Sequence, residues 1–193
     1  MTLADRLRDA LRSPPSLPLL EGDLDELGAG PSVHAAVLVA ITDRAEPGVI
    51  LTVRREHMRT HAGQIAFPGG RVDEGESALA AALREAHEEI LLDPAEVDVV
   101  GEIGPYRTVT SYIVTPVIGV VAPDLPLTPH EDEVADWFEA PLAFILDPEN
   151  QKRASALFRG RERHYYEIDW NGRRIWGATA AMIVNLSRRL EGA

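Results

Sequence analysis

Residues 67–90 read FPGGRVDEGESALAAALREAHEEI, a glycine turn followed by an alanine-rich stretch that closes with Glu85, Glu88 and Glu89 inside one turn. At 100° per residue, Glu88 falls roughly −60° and Glu89 roughly +40° from Glu85, so the three carboxylates converge within an arc of about 100°. Like charges three and four apart on a helix repel, and a glutamate-rich helical face is most often simply solvated. The helix is expected over Ser77–Leu91 and is expected to stop near Asp93-Pro94, because proline disfavours helical geometry in the residue before it. Leu79, Leu83, Ala86 and Ile90 share one side of the wheel and are its expected buried face. Upstream, Pro68-Gly69-Gly70 lets the backbone approach a ligand closely and delivers a loop directly onto this helix.

The 193 residues are 45% hydrophobic, enough for one well-formed core, and a single domain is expected. The chain carries a formal net charge of −12, which argues against a duplex nucleic acid partner. A polyanionic small substrate would need local cations, either bound metal or a few arginines set against the general field. There are no cysteines, so disulfides and thiolate metal sites are excluded. Any metal must be held by carboxylates, histidines, carbonyls or water, which points to Mg²⁺ or Mn²⁺. No window approaches the roughly 18 consecutive apolar residues of a membrane span, and the first residues, MTLADRLRDALRS, lack the layout of a signal peptide. A cytoplasmic protein with no membrane partner is expected.

Working outward along the chain, Leu3, Leu7 and Leu11 mark a short amphipathic helix behind a Thr2 cap. The Pro- and Gly-rich segment after it reads as an arm wrapped on the domain, so residues 1–32 form a helix and arm and residues 33–193 the domain proper. The apolar runs VHAAVLVAIT (33–42) and VILTV (49–53) read as two paired central strands. VDVVGEI and YIVTPVIGVV read as further buried strands, Asn171-Gly172 as a hairpin turn, and residues 178–190 as a closing helix. Strands mixed with a few helices give an α/β or α+β layered domain.

Gly70, five residues, Glu76, seven residues, then Arg84-Glu85-Ala86-His87-Glu88-Glu89 resembles the Nudix box, the loop and helix that mark Nudix hydrolases. The resemblance implies an α/β/α sandwich with a mixed β-sheet between helices. It also implies cleavage of nucleoside diphosphates linked to another group, with divalent cations held by Glu85, Glu88 and Glu89. Glu85 and Glu89, one turn apart, are the best-placed ligand pair, and Glu88 is either a third ligand or the base. Glu85 and Glu88 are the catalytic candidates, while Glu76 and Arg84 are a structural pair by resemblance. The chain departs from the pattern at Leu91, where the box has glycine, which leaves the end of the helix open between a left-handed turn and a stop at Asp93-Pro94.

Ahead of the box, Leu51-Thr52-x-Arg54, then Arg59, Gly63 and Phe67-Pro68-Gly69-Gly70 resemble the motif of the coenzyme A pyrophosphatase subfamily, with departures at Ile50 and Arg55. IWGATAAMI near the C-terminus resembles that subfamily's tail. The implied reaction is metal-dependent hydrolysis of coenzyme A or a derivative to adenosine 3′,5′-bisphosphate and 4′-phosphopantetheine or its acyl form. Arg54, Arg59, Phe67, Gly69 and Gly70 are the expected substrate-binding residues, the arginines because a guanidinium grips phosphate oxygens in bidentate fashion. The rivals are a Nudix pyrophosphatase for ADP-ribose, a dinucleotide or a nucleoside triphosphate, and a non-catalytic binding module on the same scaffold. Surface roles are the plainer reading for His57, His61 and His87. The same holds for the acidic loop His130–Glu133, although a catalytic base can sit on such a loop. Tyr165, Tyr166, Trp170 and Trp176 read as core or interface. A small-molecule substrate is the expected partner, and a homodimer is an open option.

Overall fold

The computed structural model describes residues 1–22, 32–55, 63–158 and 160–190. In chain order the elements are α1 (Leu3–Arg12), β1 (Val33–Thr42), β2 (Gly48–Arg54), β3 (Ile65–Ala66), β4 (Gly69–Arg71) and α2 (Ala78–Ile90). Then come β5 (Val97–Glu102), β6 (Tyr106–Arg107), β7 (Tyr112–Val121), β8 (Val134–Pro141) and α3 (Leu142–Leu146). β9 (Lys152–Phe158), β10 (Arg161–Trp170), β11 (Arg173–Trp176) and α4 (Ala178–Leu190) complete the chain.

β1 is apolar from Ala35 to Ile41 because it is covered on both sides there. Ala36, Leu38 and Ala40 face the core beneath α2, while Ala35, Val39 and Ile41 face the core shared with α1 and α4. Its main partner is β7, parallel over ten consecutive pairs from Val33 with Tyr112 to Thr42 with Val121. The expected pairing of β1 with β2 is met at one position only, Ile41 with Val49. Beyond it the strands part. β4 takes the edge of β1 at Ala35–Val37, the Leu38 N–H donates to the Pro68 carbonyl at 2.8 Å, and β2 continues between β3 and β8. The segment 67–71 is wedged into this split, and that is what carries the glycine pair to the head of the site. The result is a mixed sheet with α2 on one face and α1 and α4 on the other, the expected α/β/α sandwich.

Thr2 caps α1 in a reciprocal box with Asp5. Residues 13–22 run back over α4: the Leu20 N–H donates to Asn185 Oδ1 at 2.7 Å and Asn185 Nδ2 returns a bond to the Leu20 carbonyl at 2.8 Å. Asn185 is buried, so this two-way bond satisfies an amide that would otherwise be costly to bury. At the other end of the chain, β10 and β11 turn at Asn171 and Gly172, both at positive φ, as a type I′ hairpin requires. Trp170 stacks on Phe138 of β8 with ring centroids 5.6 Å apart, so it docks the hairpin on the sheet.

The helix α2 ends at Leu91 in the left-handed conformation (φ 55°, ψ 30°), its N–H donating to the Ala86 and His87 carbonyls. The backbone therefore makes the turn that glycine would ease, with a Cβ in place, and Asp93 instead caps the following 3₁₀ turn through Ala95 N–H. A left-handed non-glycine residue costs roughly 1 kcal/mol, and the Leu91 side chain is 53% exposed, so it recovers little by burial. Leu91→Gly is expected to stabilise the protein by about 0.5 kcal/mol after the larger unfolded-state entropy of glycine is counted. Urea denaturation at equilibrium checks the sign.

Candidate functional site

α2 seats itself on the sheet through alanines. Ala81, Ala82 and Ala86 are fully buried against Ala36 and Ala40, whereas Leu79 and Leu83 lie at the margin of that core. Of the expected buried face, Ala86 and Ile90 are fully buried and Leu79 and Leu83 only partly so, and the contact turns towards Ala81 and Ala82, whose small size lets the helix axis approach the sheet. The rotation has a chemical consequence. It carries Glu89 inward until it is 3% exposed, the one carboxylate among the buried residues of the described chain.

Glu89 is met from two sides. Its Oε2 accepts from the Gly69 N–H at 3.2 Å, and its Oε1 lies 3.7 Å from an Arg54 guanidinium nitrogen. These do not offset its desolvation. Burial, with smaller contributions from the charges of Glu85 and Glu133, pushes the Glu89 carboxyl up from 4.5 to about 8, against the lowering pull of Gly69 and Arg54. One turn earlier, Glu85 is also pushed up by burial, opposed by Arg84 and reinforced by Glu88 and Glu133. Its carboxylate lies directly over Gly70, in space that a Cβ there would occupy. Glu88 is further out, its side chain 58% exposed.

Arg84 holds this arrangement to the preceding loop. Its Nε and Nη2 grip Glu76 in a fork, both at 3.0 Å, and Nη2 also donates to the Arg71 carbonyl at 3.0 Å. Nη1 reaches Glu85 at 3.0 Å and Glu88 at 3.2 Å. Glu76 accepts in addition from the Asp73 N–H, and Arg84 and then Asp73 hold its carboxyl below the usual range. The sequence pairing of Glu76 with Arg84 therefore takes physical form as a clamp on the loop 71–76, and the same arginine also reaches two of the three box carboxylates.

Residues the sequence brings less plainly to the site come from β2 and from the loop before β8. Arg54, the last residue of β2, stands beside Glu89. Phe67 is buried in the core under the split, 3% exposed, so it shapes the loop and presents little surface to a ligand. Glu133 precedes β8, and its charge acts on both Glu85 and Glu89. The loop holding it is fixed by Thr128 and His130 N–H groups on the Ile90 and Glu89 carbonyls and by the Arg55 N–H on the Glu133 carbonyl. The one sequence signal for Glu133 was its place in the HEDE run. Arg59, His57 and His61 lie outside the described residues. Tyr165 and Trp176 pack edge to face on the outer hairpin, with Trp170 on Phe138, and no contact joins these rings to the carboxylates among the described residues.

The donor set suits a hard divalent cation. Among the described residues no three acidic or histidine side chains converge tightly enough to hold an ion unaided. Mg²⁺ and Mn²⁺ do not require that, since such ions are commonly held by one or two carboxylates with water and substrate phosphates completing the shell. Glu85 and Glu89, one turn apart and both pushed up chiefly by burial, would supply such a pair beside Gly69 and Gly70.

Comparison with known proteins places this geometry in context. A family model described as the NUDIX domain matches residues 32–159. The chain is 45% identical over 159 residues to the Uncharacterized Nudix hydrolase NudL of Escherichia coli K12, an alignment spanning 81% of this chain and 82% of the relative. The NudL protein of Shigella boydii aligns with the same identity and coverage. Among solved structures, the MutT/nudix family protein from Enterococcus faecalis superposes with a TM-score of 0.52 at 16% identity, covering 96% of this chain and 68% of that one. The Nudix hydrolase RenU from M. Smegmatis gives 0.50 at 24% identity, over 57% of this chain and 71% of that one.

Proposed function

The chain belongs to the NUDIX family, whose hydrolases act on pyrophosphate bonds, and from that premise we propose that its substrate is coenzyme A or a derivative of it. The products are adenosine 3′,5′-bisphosphate and 4′-phosphopantetheine or its acyl form, and a cytoplasmic site of action is part of the same proposal. The observation that carries the substrate is the pattern Leu51-Thr52-x-Arg54 to Phe67-Pro68-Gly69-Gly70. Its two described ends meet at the carboxylates, Arg54 beside Glu89 and the glycines beneath Glu89 and Glu85.

In this reading Glu85 and Glu89 hold Mg²⁺ or Mn²⁺, and Glu88 contributes from the rim. The bound cation would neutralise the pyrophosphate and lower the pKa of coordinated water. Gly69 and Gly70 serve the substrate indirectly: the missing Cβ at Gly70 leaves room for the Glu85 carboxylate, and Gly69 lies close against β1 with its N–H on Glu89. Arg54 donates to phosphate oxygens once Glu89 has a closer counter-charge. Arg84 keeps Glu85 and Glu88 aimed, and it releases no proton because its carboxylate partners hold the guanidinium firmly charged. The proton of the attacking water goes to a carboxylate at the edge of the site. Glu88 and Glu133 are the two exposed enough to pass it on to solvent.

Incubating the purified protein with Mn²⁺ and a panel of coenzyme A, ADP-ribose, NADH and nucleoside triphosphates, with products identified by mass, tests the reading. Coenzyme A should be cleaved with the highest kcat/KM, and preference for any other member would replace the substrate assignment while leaving the hydrolase class intact. A finer test concerns the 3′-phosphate. Arg54→Ala is expected to lower kcat/KM for coenzyme A about tenfold more than for its 3′-dephospho form, the worth of one charge-assisted contact. Equal losses would put Arg54 on the pyrophosphate that both compounds share.

A further inference from the structure

β9 and the first half of β10 form a largely exposed hairpin. Lys152, Arg153, Ser155, Ala156 and Leu157 are exposed, Leu157 at 79%. Tyr165 and Tyr166 are half-buried, Tyr166 against the core, and full burial comes at Ile168 and Ile175, where β10 and β11 meet it. Among the described residues β9 pairs with β10 alone, so no described strand covers its other edge. A two-stranded ribbon is marginal in water without a further strand or packing, and an open edge is a template for one. Lys152 and Arg153 guard one end in the usual way, but Ala154-Ser155-Ala156-Leu157 carries no charge at all. The charge around this edge is also unlike the rest of the chain. From Lys152 to Arg163 the sequence has five Lys or Arg against one Glu, a local excess of four positive charges in a chain of net −12. A second copy docked edge to edge would bring two such basic ribbons together.

We propose that the open edge of β9 binds an extended acidic segment of a partner protein, which adds as a fourth strand to the sheet β11-β10-β9. Main-chain hydrogen bonds would supply affinity and Lys152 and Arg153 the preference for acidic side chains. This interaction is independent of the hydrolytic site.

The probe is a capped nine-residue peptide of alternating glutamate and valine, compared with its lysine counterpart and with vesicles of phosphatidylserine and phosphatidylcholine. The glutamate peptide is expected to bind at micromolar concentration in low salt. It should protect the backbone amides of 154–157 from hydrogen exchange, with at least tenfold preference over the lysine peptide. Lys152→Glu with Arg153→Glu should abolish that preference while leaving pyrophosphate hydrolysis unchanged, since both side chains are exposed and lie outside the site. Equal binding of the two peptides or unprotected β9 amides would overturn the proposal. So would tighter binding to the anionic vesicles, or self-association of the protein through 152–158.

Discussion

Glu89→Gln is expected to raise the melting temperature of the metal-free protein at pH 8 and, in the same variant, to lower turnover with Mg²⁺ or Mn²⁺ by about a thousandfold. The two effects have one cause. In the folded chain the Glu89 carboxyl sits at about 8 against an ordinary 4.5. Between those values the folded protein holds a proton that the unfolded chain has already released, so this group's contribution to stability is complete below about pH 4.5 and is lost as pH rises through 8. At pH 8 and above, glutamine in the same space removes the buried charge and can still accept from the Gly69 N–H. Relaxation of Arg54 and water around the anion leaves a gain of about 2 kcal/mol, or about 5 °C for a chain of this size. Saturating divalent cation should reverse the order, because only the carboxylate binds it, and a ligand at about a hundred times its dissociation constant stabilises by about 2.7 kcal/mol. Thermal scans of both proteins at pH 6 and pH 8, with and without Mg²⁺, test this directly. An unchanged ranking in metal would remove Glu89 from the ligand set, and surviving turnover in Glu89→Gln or Glu85→Gln would remove the metal assignment altogether.

The carboxylates were legible because helical spacing is local: Glu85, Glu88 and Glu89 need only the 3.6-residue period to be placed on one arc. Their different depths were not. Glu89 is buried and Glu88 is not because Ala81, Ala82, Ala86 and Ile90, rather than Leu79 and Leu83, seat α2 on the sheet, and that choice belongs to their packing in the core with Ala36 and Ala40. Glu133 shows the same limit at longer range. It reaches the site because β8 pairs with β2 so that Val134 lies opposite Arg54, a register set by two segments far apart in sequence. The split between β1 and β2 is a third case. Two apolar runs joined by a short turn read as a simple pair, and it is the insertion of β4 along Ala35–Val37 that parts them. The Glu76 and Arg84 fork, joining a loop to a helix eight residues on, was read from the family motif, since no period links the two.

The two glycines of that inserted strand should separate function from fold. A Cβ added at Gly70 would coincide with the Glu85 carboxylate, whereas one added at Gly69 would strike the Ala36 carbonyl and the Val37 backbone. A carboxylate at the end of a flexible side chain can swing aside, and a paired strand cannot. Gly70→Ala is therefore expected to leave the melting temperature within about 2 °C of the parent. It should reduce kcat about a hundredfold, because a ligand displaced by roughly 1 Å no longer holds the reacting groups in line. Gly69→Ala should cost about 3 kcal/mol or more in stability, through overpacking against backbone and displacement of the residue-69 N–H from Glu89. Chemical denaturation and steady-state kinetics on both variants decide the matter. If Gly70→Ala unfolds the protein, or retains full kcat, then the space over Gly70 is structural and Glu85 does not work from the position in which it lies.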